Sequence, residues 1–195
     1  MKKIITLSIA VAVIAGCASG PRYGGNVRYG DEKGVEQVTN EFGSTDVQMI
    51  AEELSRKMLQ SPAIANSRDV VTIVLNPVRN KTSEYIDTAI VTKKIKNVLT
   101  NSGKVRFVVN QDTMQNQVDQ LRLQNQSGLY DSKKTAKVGK MSGAQYSVNG
   151  SISSIVKRGN DVKDVWYTFQ LELIEIQSGE TVWSDDKDIR KTSGR

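Results

Sequence analysis

The hydrophobic positions after residue 44 follow two periods, one typical of helices and one typical of buried strands. A stripe at helical spacing, capped by Ser44 or Thr45 and ended by Ser61-Pro62, predicts a first helix. Its apolar members are Val47, Ile50, Ala51, Leu54 and Met58. The continuous run Val70–Leu75 is too short for a helix and predicts a buried strand.

The same order of helix and strand is repeated between residues 84 and 109. An apolar stripe from about Glu84 to Thr100 predicts a second helix, and Val105–Val109 predicts a second strand. The stripe consists of Ile86, Ile90, Val91, Ile95, Val98 and Leu99. Beyond it we expect a polar helix from Asp112 to about Leu123, a loop over residues 124–131 and a short helix over residues 132–142.

In the C-terminal third, apolar and polar residues alternate with the period of two that half-buried strands show. One strand begins at Tyr146, and the next has Val165, Tyr167, Phe169, Leu171 and Leu173 on one face. The parity of the apolar residues switches after Leu173, which predicts a bulge before a last strand over about Thr181–Arg190. Two crossovers followed by an antiparallel meander predict an α/β sandwich with a mixed sheet of about four to five strands and three to four helices.

The N-terminal segment has the organisation of a lipoprotein signal peptide. Lys2 and Lys3 precede an apolar run over residues 4–15, which is shorter than the ~20 residues that a spanning helix needs. Ile14-Ala15-Gly16-Cys17 matches a lipobox, so residues 1–16 are predicted to be removed and Cys17 to carry N-palmitoyl and S-diacylglycerol groups. An ordinary signal peptide with a chance cysteine, or an uncleaved anchor, is the competing interpretation. By resemblance to the lipoprotein sorting rule, Ala18 after the cysteine predicts an outer-membrane anchor that faces the periplasm.

Residues 17–43 are predicted to be a lipidated flexible tether, and residues 44–195 the folded domain. Glycines are frequent between residues 18 and 43, and the apolar residues there show no period. Such a segment buries too little surface to offset the entropy of ordering it.

The composition argues against an enzyme. The chain has no histidine, and its one cysteine is the predicted lipid acceptor. No Walker loop, G-x-S-x-G, G-x-G-x-x-G or H-E-x-x-H occurs, so no cofactor or metal site is predicted. The formal net charge of +6, two of it from Lys2 and Lys3, is too small to indicate nucleic acid.

Four blocks in order give the chain a resemblance to a known family. They are "VTIVLNPVRNKTSEYI", "LTNSGKVRFV", "GAQYSVNGSIS" and "LIEIQSGETVWSDD". Together they resemble the LpoB family of outer-membrane lipoproteins over about residues 47–187. The resemblance implies a protein without catalytic residues that binds the regulatory domain of a class A penicillin-binding protein and stimulates glycan polymerisation and crosslinking. This chain departs from the family's best-known member, whose tether is long and Pro-rich, because its own tether is short and contains only Pro21.

Two other functions stay open. One is a structural lipoprotein resembling the curli-secretion channel subunit, which must contribute membrane-spanning hairpins. The only strands long enough, residues 146–156 and 165–176, are both needed for the core sheet. The other is an envelope lipoprotein with a different binding role. For the LpoB-like activator we expect the folded domain to be a monomer, whereas a channel-like assembly would form a ring.

The loop after the first strand is the predicted partner-binding site. Its candidate residues are Arg79, Asn80, Lys81 and Thr82, which place two cations beside side chains that can hydrogen-bond. Loops at strand ends often carry recognition, and arginine is favoured at interfaces. In the competing interpretation, Asn80 and Thr82 only satisfy the loop backbone or cap the following helix.

Overall fold

The computed structural model describes residues 30–32, 34, 38–109 and 111–194. The chain divides into two compact units, Met1–Gly34 and Val35–Arg195. In the first unit, the Gly34 amide donates a hydrogen bond to the Asp31 carbonyl oxygen at 3.0 Å. The predicted signal peptide and Cys17 lie outside the described residues. Among those described, no helix is long and apolar enough to cross a bilayer.

The second unit is an α/β domain with one mixed sheet. Its helices are α1 (Ser44–Leu59), α2 (Pro62–Ala65), α3 (Thr88–Asn101) and α4 (Gln111–Gln126). Its strands are β1 (Val71–Leu75), β2 (Arg79–Asn80), β3 (Val105–Phe107), β4 (Tyr146–Arg158), β5 (Val162–Glu175) and β6 (Thr181–Gly194). The predicted fold class is therefore confirmed.

The sheet has the order β3-β1-β4-β5-β6, and β2 adds to β4 beyond the end of β1. Pairs β1·β3, β1·β4 and β2·β4 are parallel, whereas β4, β5 and β6 form an antiparallel meander. The register of β5 against β6 shifts between Leu173 and Ile174, which confirms the bulge predicted from the change of parity. The sheet has six strands rather than four to five, because the backbone of the loop after β1 pairs with β4 as the short strand β2.

One face of the sheet is packed under helices. The core combines residues of α1 and α3 with the alternate residues of β4 and β5 that the sequence placed on one face. Gly150 is the one position on the core face of β4 where a side chain does not fit. A Cβ atom there would lie 3.0 Å from Val78 Cγ2 and 3.3 Å from Phe169 Cζ, both in the packed core.

Side-chain hydrogen bonds determine the residues at which α1 and α3 begin. Helix α1 starts after Gly43, not after a Ser or Thr cap, and the Gly43 amide donates to Asp46 Oδ2 at 2.7 Å. Helix α3 starts at Thr88 rather than near Glu84, since the Asp87 carboxylate caps it by accepting from the Ala89 amide. The buried side of α3 carries Val91, Ile95 and Leu99, and Ile90 of the predicted stripe is on the exposed side, at 53% exposure.

The predicted short helix over residues 132–142 is wrong. Helix α4 continues to Gln126, and the segment after it is irregular up to β4. The Ala136 amide donates to Gln124 Oε1 at 3.2 Å instead of to a helical carbonyl. Gly139 has a φ of +78°, a backbone angle that an α-helix cannot contain.

The segment just before α1 packs against the domain, although the sequence assigned it to the tether. Asn40 Nδ2 donates to the carbonyl oxygens of Lys163 and Lys191, at 3.0 and 3.2 Å. The Phe42 ring lies 5.6 Å from the ring of Tyr167, centroid to centroid. The Tyr167 hydroxyl donates to Glu84 Oε1 at 2.6 Å. Residues 40–43 are thus fixed at one end of the meander.

Candidate functional site

The face of the meander opposite the helices is open. Side chains of β4, β5 and β6 alternate, so every residue between two core positions points to this face, which we call the open face. It carries Asn149, Ser151, Ser153, Ile155, Lys157, Asp164, Trp166, Thr168, Gln170, Glu172, Ser184, Asp186, Asp188 and Arg190. A polar face that none of the helices α1 to α4 covers is available to contact another molecule.

Strand β2 and the residue that follows it add two cations beside the open face. Arg79 pairs with Ser151 in parallel register, so its side chain lies on the same face as that of Ser151. Arg79 and Lys81 line a depression of about 110 Å³ together with Asn149, Gly150, Ser151, Gln170 and Glu172. Neither cation has an ion-pair partner within residues 38–109 and 111–194. Their charges are available to an acidic partner.

The other two candidates of this loop hold the loop together. Asn80 Nδ2 donates to the Glu84 carbonyl oxygen at 2.8 Å, and Asn80 Oδ1 accepts from the Thr82 amide at 2.9 Å. The Thr82 hydroxyl is itself 2.8 Å from Asn80 Oδ1 and accepts from the Glu84 amide at 3.1 Å. The structure thus separates the four candidates into two exposed cations and two residues that organise a turn. A role in partner binding stays a prediction for all four.

A second feature of the open face lies around Trp166. Its indole is 39% exposed and lines a cleft of about 460 Å³. The cleft is lined by Ile155, Lys157, Asp164, Trp166, Asp188 and Arg190. Exposed tryptophan and arginine are the residues most often found at the energetic centre of protein interfaces.

One ion pair of this cleft, Arg190 with Asp164, is held by several hydrogen bonds. Arg190 holds Asp164 in a two-point contact, Nη2 to Oδ2 at 2.6 Å and Nε to Oδ1 at 3.1 Å, and the Thr192 hydroxyl donates to the same carboxylate at 2.9 Å. The hydrogen bonds from Arg190 and then Thr192 lower the pKa of Asp164, and the same contact raises the pKa of Arg190. Both side chains are therefore charged at neutral pH, and the guanidinium is fixed in place beside the indole.

Sequence reasoning placed Trp166 on the polar face of its strand but did not identify it as functional. The signal that could have found it is the amphipathic alternation itself. A tryptophan between the polar residues of a half-buried strand has no core to pack against, and tryptophan is enriched among the residues that contribute most to protein interfaces.

The acidic residues of the described part do not assemble a metal centre. No group of three or more metal-ligating side chains is found in the residues that the structure describes. Asp185 pairs with Lys57 across α1 and β6, at 3.1 Å, whereas Asp186 and Asp188 lie on the other side of the strand. The three aspartates of this strand therefore do not converge on one point.

Comparison with known proteins identifies the family. Residues 46–189, which are more than half of the 195 residues, match the model of the family described as peptidoglycan-synthase activator LpoB. The chain belongs to this family of proteins that regulate peptidoglycan synthesis.

Two curated relatives and one solved structure illustrate the similarity. The chain is 30% identical to the penicillin-binding protein activator LpoB of Salmonella typhimurium over 132 residues, which are 67% of this chain and 56% of that protein. It is 24% identical to the activator LpoB of Yersinia enterocolitica, covering 98% of this chain and 100% of that protein. It is similar to the LpoB C-terminal domain from Escherichia coli at 21% identity and a TM-score of 0.47, covering 75% of this chain and 99% of that domain.

Proposed function

We propose that this protein binds the regulatory domain of a class A penicillin-binding protein through its open face and activates that peptidoglycan synthase allosterically. Membership of the family named for this activation carries the proposal. The family is named for regulating an enzyme and not for catalysis, which agrees with a site built from fixed charges and an exposed indole. Activation requires that the protein bind the active conformation of the synthase more tightly than the inactive one.

The proposed location is the outer membrane. Cys17 would carry the lipid groups, and residues 18–39 would link the anchor to the point where Asn40 attaches to the meander. The domain would act as a monomer in the periplasm. The curli-channel alternative has no observation in its favour, since both of its candidate strands lie in the core sheet.

The direct test is a glycan polymerisation and crosslinking assay with a purified class A synthase, with and without the chain. We expect a higher rate of both reactions in its presence. Arg79→Glu with Lys81→Glu should weaken the complex by ~1–3 kcal/mol, the range for losing charged interface contacts. The melting temperature should stay near that of the parent, because both side chains are exposed.

A matched control is available on α3. Lys93 and Lys94 are also exposed and adjacent, so Lys93→Glu with Lys94→Glu changes the net charge equally on a different surface. If both double variants weaken the synthase complex equally, the effect is a general one of net charge. Arg79 and Lys81 would then lie outside the interface. A chain that leaves the synthase rates unchanged would contradict the proposed activation as a whole.

The lipid anchor is tested separately. Cys17→Ala should abolish labelling with radioactive palmitate and release the protein from the outer-membrane fraction, since the thiol is the group that accepts diacylglycerol. A variant that still incorporates palmitate would show that Cys17 is not the acceptor.

A further inference from the structure

The segment between α4 and β4 combines charge and apolar exposure in an unusual way. Over Leu129–Met141, here called the basic loop, four lysines stand against the single acid Asp131. The lysines are Lys133, Lys134, Lys137 and Lys140, all exposed, and none has an ion-pair partner in the part of the chain that the structure describes. Between and beside them, Leu129 is 80% exposed and Val138 71%, and Tyr130 and Met141 are exposed as well.

The basic loop is attached to the fold at two points. Asn125 Nδ2 donates to the Ala136 carbonyl oxygen at 2.9 Å, and the Ala136 amide donates to Gln124 Oε1 at 3.2 Å. After the loop, the Gly143 carbonyl oxygen accepts from the Thr72 hydroxyl at 2.9 Å. Because the midpoint is fixed to the end of α4, the lysines on both sides of Ala136 extend into solvent.

We propose that the basic loop binds the surface of an anionic phospholipid bilayer. Lysines are attracted by the negative surface potential of anionic lipids, and exposed aliphatic side chains are buried at the boundary between headgroups and acyl chains. Such a surface satisfies both features of the loop together. An anionic glycan would attract the lysines but offers no apolar phase in which Leu129 and Val138 can be buried.

The position of the basic loop determines which bilayer it meets. The loop leads into β4 at Tyr146, whereas Asn40 is bound at Lys163 and Lys191, at the opposite end of the meander. With 13 residues in β4, and about 3.3 Å per residue, the two ends are roughly 40 Å apart. The loop therefore faces away from the point where the N-terminal chain joins the domain, and with the proposed anchor on Cys17 it faces the opposing membrane. This orientation, but not the binding itself, rests on the proposed function.

Flotation with lipid vesicles tests the binding without lipid on Cys17 and without the synthase. The protein used is Val35–Arg195, which forms a compact unit and contains the whole hydrophobic core. We expect it to float with phosphatidylglycerol vesicles and not with phosphatidylcholine vesicles. Replacing the four lysines by serine should weaken vesicle binding at least roughly tenfold, given the attraction of each lysine to an anionic surface.

Two further variants make the result specific. Replacing Arg56, Lys93, Lys94 and Arg158 by serine removes the same charge from other exposed surfaces and should leave most of the binding. Leu129→Ser with Val138→Ser should weaken binding at constant charge. Vesicle binding that is equal for both lipids, or equally reduced in the two charge variants, overturns the proposal. The proposal is also overturned if the protein binds purified peptidoglycan sacculi but not vesicles, and if this binding is lost when the four lysines are replaced. That result would assign the loop to an anionic glycan. Because this assay omits the synthase, its failure leaves the activation assay as an independent test.

Discussion

The two faces of the antiparallel meander are built from the same three strands, but one is buried and apolar and the other is solvent-facing and mostly polar. On the covered face, alternate residues of β4 and β5 such as Ile152, Phe169 and Leu171 are fully buried. On the open face, their immediate neighbours are polar, with Trp166 and Ile155 as exposed exceptions. The comparison shows that packing constrains one set of positions while the other can be adapted to a partner without disturbing the core.

The charges follow the same division. On the covered side, Lys187 of β6 pairs with Glu53 of α1 at 2.6 Å and Lys57 pairs with Asp185, so cations there join a helix to the sheet. On the open side, Arg79 and Lys81 have no such partner among the described residues, and Arg190 is fixed by Asp164 beside Trp166. Charges on the covered side serve the fold, and those on the open side are presented to solvent.

The largest expected effect is the loss of a core aromatic. Phe169→Ala should lower the free energy of unfolding by about 3–5 kcal/mol, because it removes a fully buried ring and leaves a cavity. The adjacent Thr168 points to the open face, and Thr168→Ala should cost less than about 1 kcal/mol. Urea unfolding of both variants measures the difference. Similar losses for the two would mean that the open face is covered in solution.

An intermediate effect is expected where the covered face holds the incoming N-terminal segment. The Tyr167 hydroxyl contacts the Glu84 carboxylate and lies 2.9 Å from the Asn40 carbonyl oxygen. Tyr167→Phe should cost about 1.5–3 kcal/mol, the range for a hydrogen bond to a charged group. Tyr85→Phe is the matched control, since its side chain is 95% exposed.

The same tyrosine should make stability depend on alkaline pH. Burial, and then the hydrogen bond with Glu84, raise the pKa of Tyr167 well above its ordinary value of 10.0. A group whose pKa is raised in the folded state contributes stability that is complete below the pKa of the unfolded state and is lost as the pH rises towards the folded pKa. The free energy of unfolding of the parent should therefore fall above about pH 10, and Tyr167→Phe should remove part of that slope. An identical slope in the Phe variant would contradict the buried contact.

The alternation of residues made most of the fold predictable. Buried strand positions such as Val165 and Leu173 are separated by polar residues, so the covered face, the bulge and the meander could all be inferred from a period of two. The segment over residues 132–142 was mispredicted because side-chain contacts from Gln124 and Asn125 determine its backbone, and these are not local in sequence. The short strand β2 was missed for the same reason, since only its pairing with β4 makes it a strand.

The position of the candidate site stays a prediction from the sequence, and its internal division was not predictable. The loop after β1 was identified from its polar composition, yet sequence alone gave Arg79 and Asn80 the same status. Their difference arises from the parallel register with β4, which places Arg79 beside Ser151 and Asn80 beside Ile152. The cleft at Trp166 depends on the pairing of β4, β5 and β6, which brings Ile155 and Arg190 to either side of the indole.

The smallest expected effect tests whether the division between the two faces continues into β2. Asn80→Ala removes the hydrogen bond to the Glu84 carbonyl oxygen and the acceptor for Thr82, and it should lower the free energy of unfolding by about 1 kcal/mol. Arg79→Ala removes an exposed side chain and should change it by less than about 0.5 kcal/mol. For affinity towards the synthase we expect Arg79→Ala to have the larger effect and Asn80→Ala the smaller, because Arg79, unlike Asn80, presents a charge to the open face. Asn80→Asp sharpens the test, since it keeps the acceptor for Thr82 but sets a carboxylate oxygen against the Glu84 carbonyl oxygen, and it should therefore also be less stable than the parent. Thermal unfolding and a binding titration on all three variants give both quantities. A stability loss in Arg79→Ala as large as that in Asn80→Ala would mean that Arg79 also organises the turn. The separation between fold-stabilising and solvent-facing side chains would then hold for β4 but not for β2.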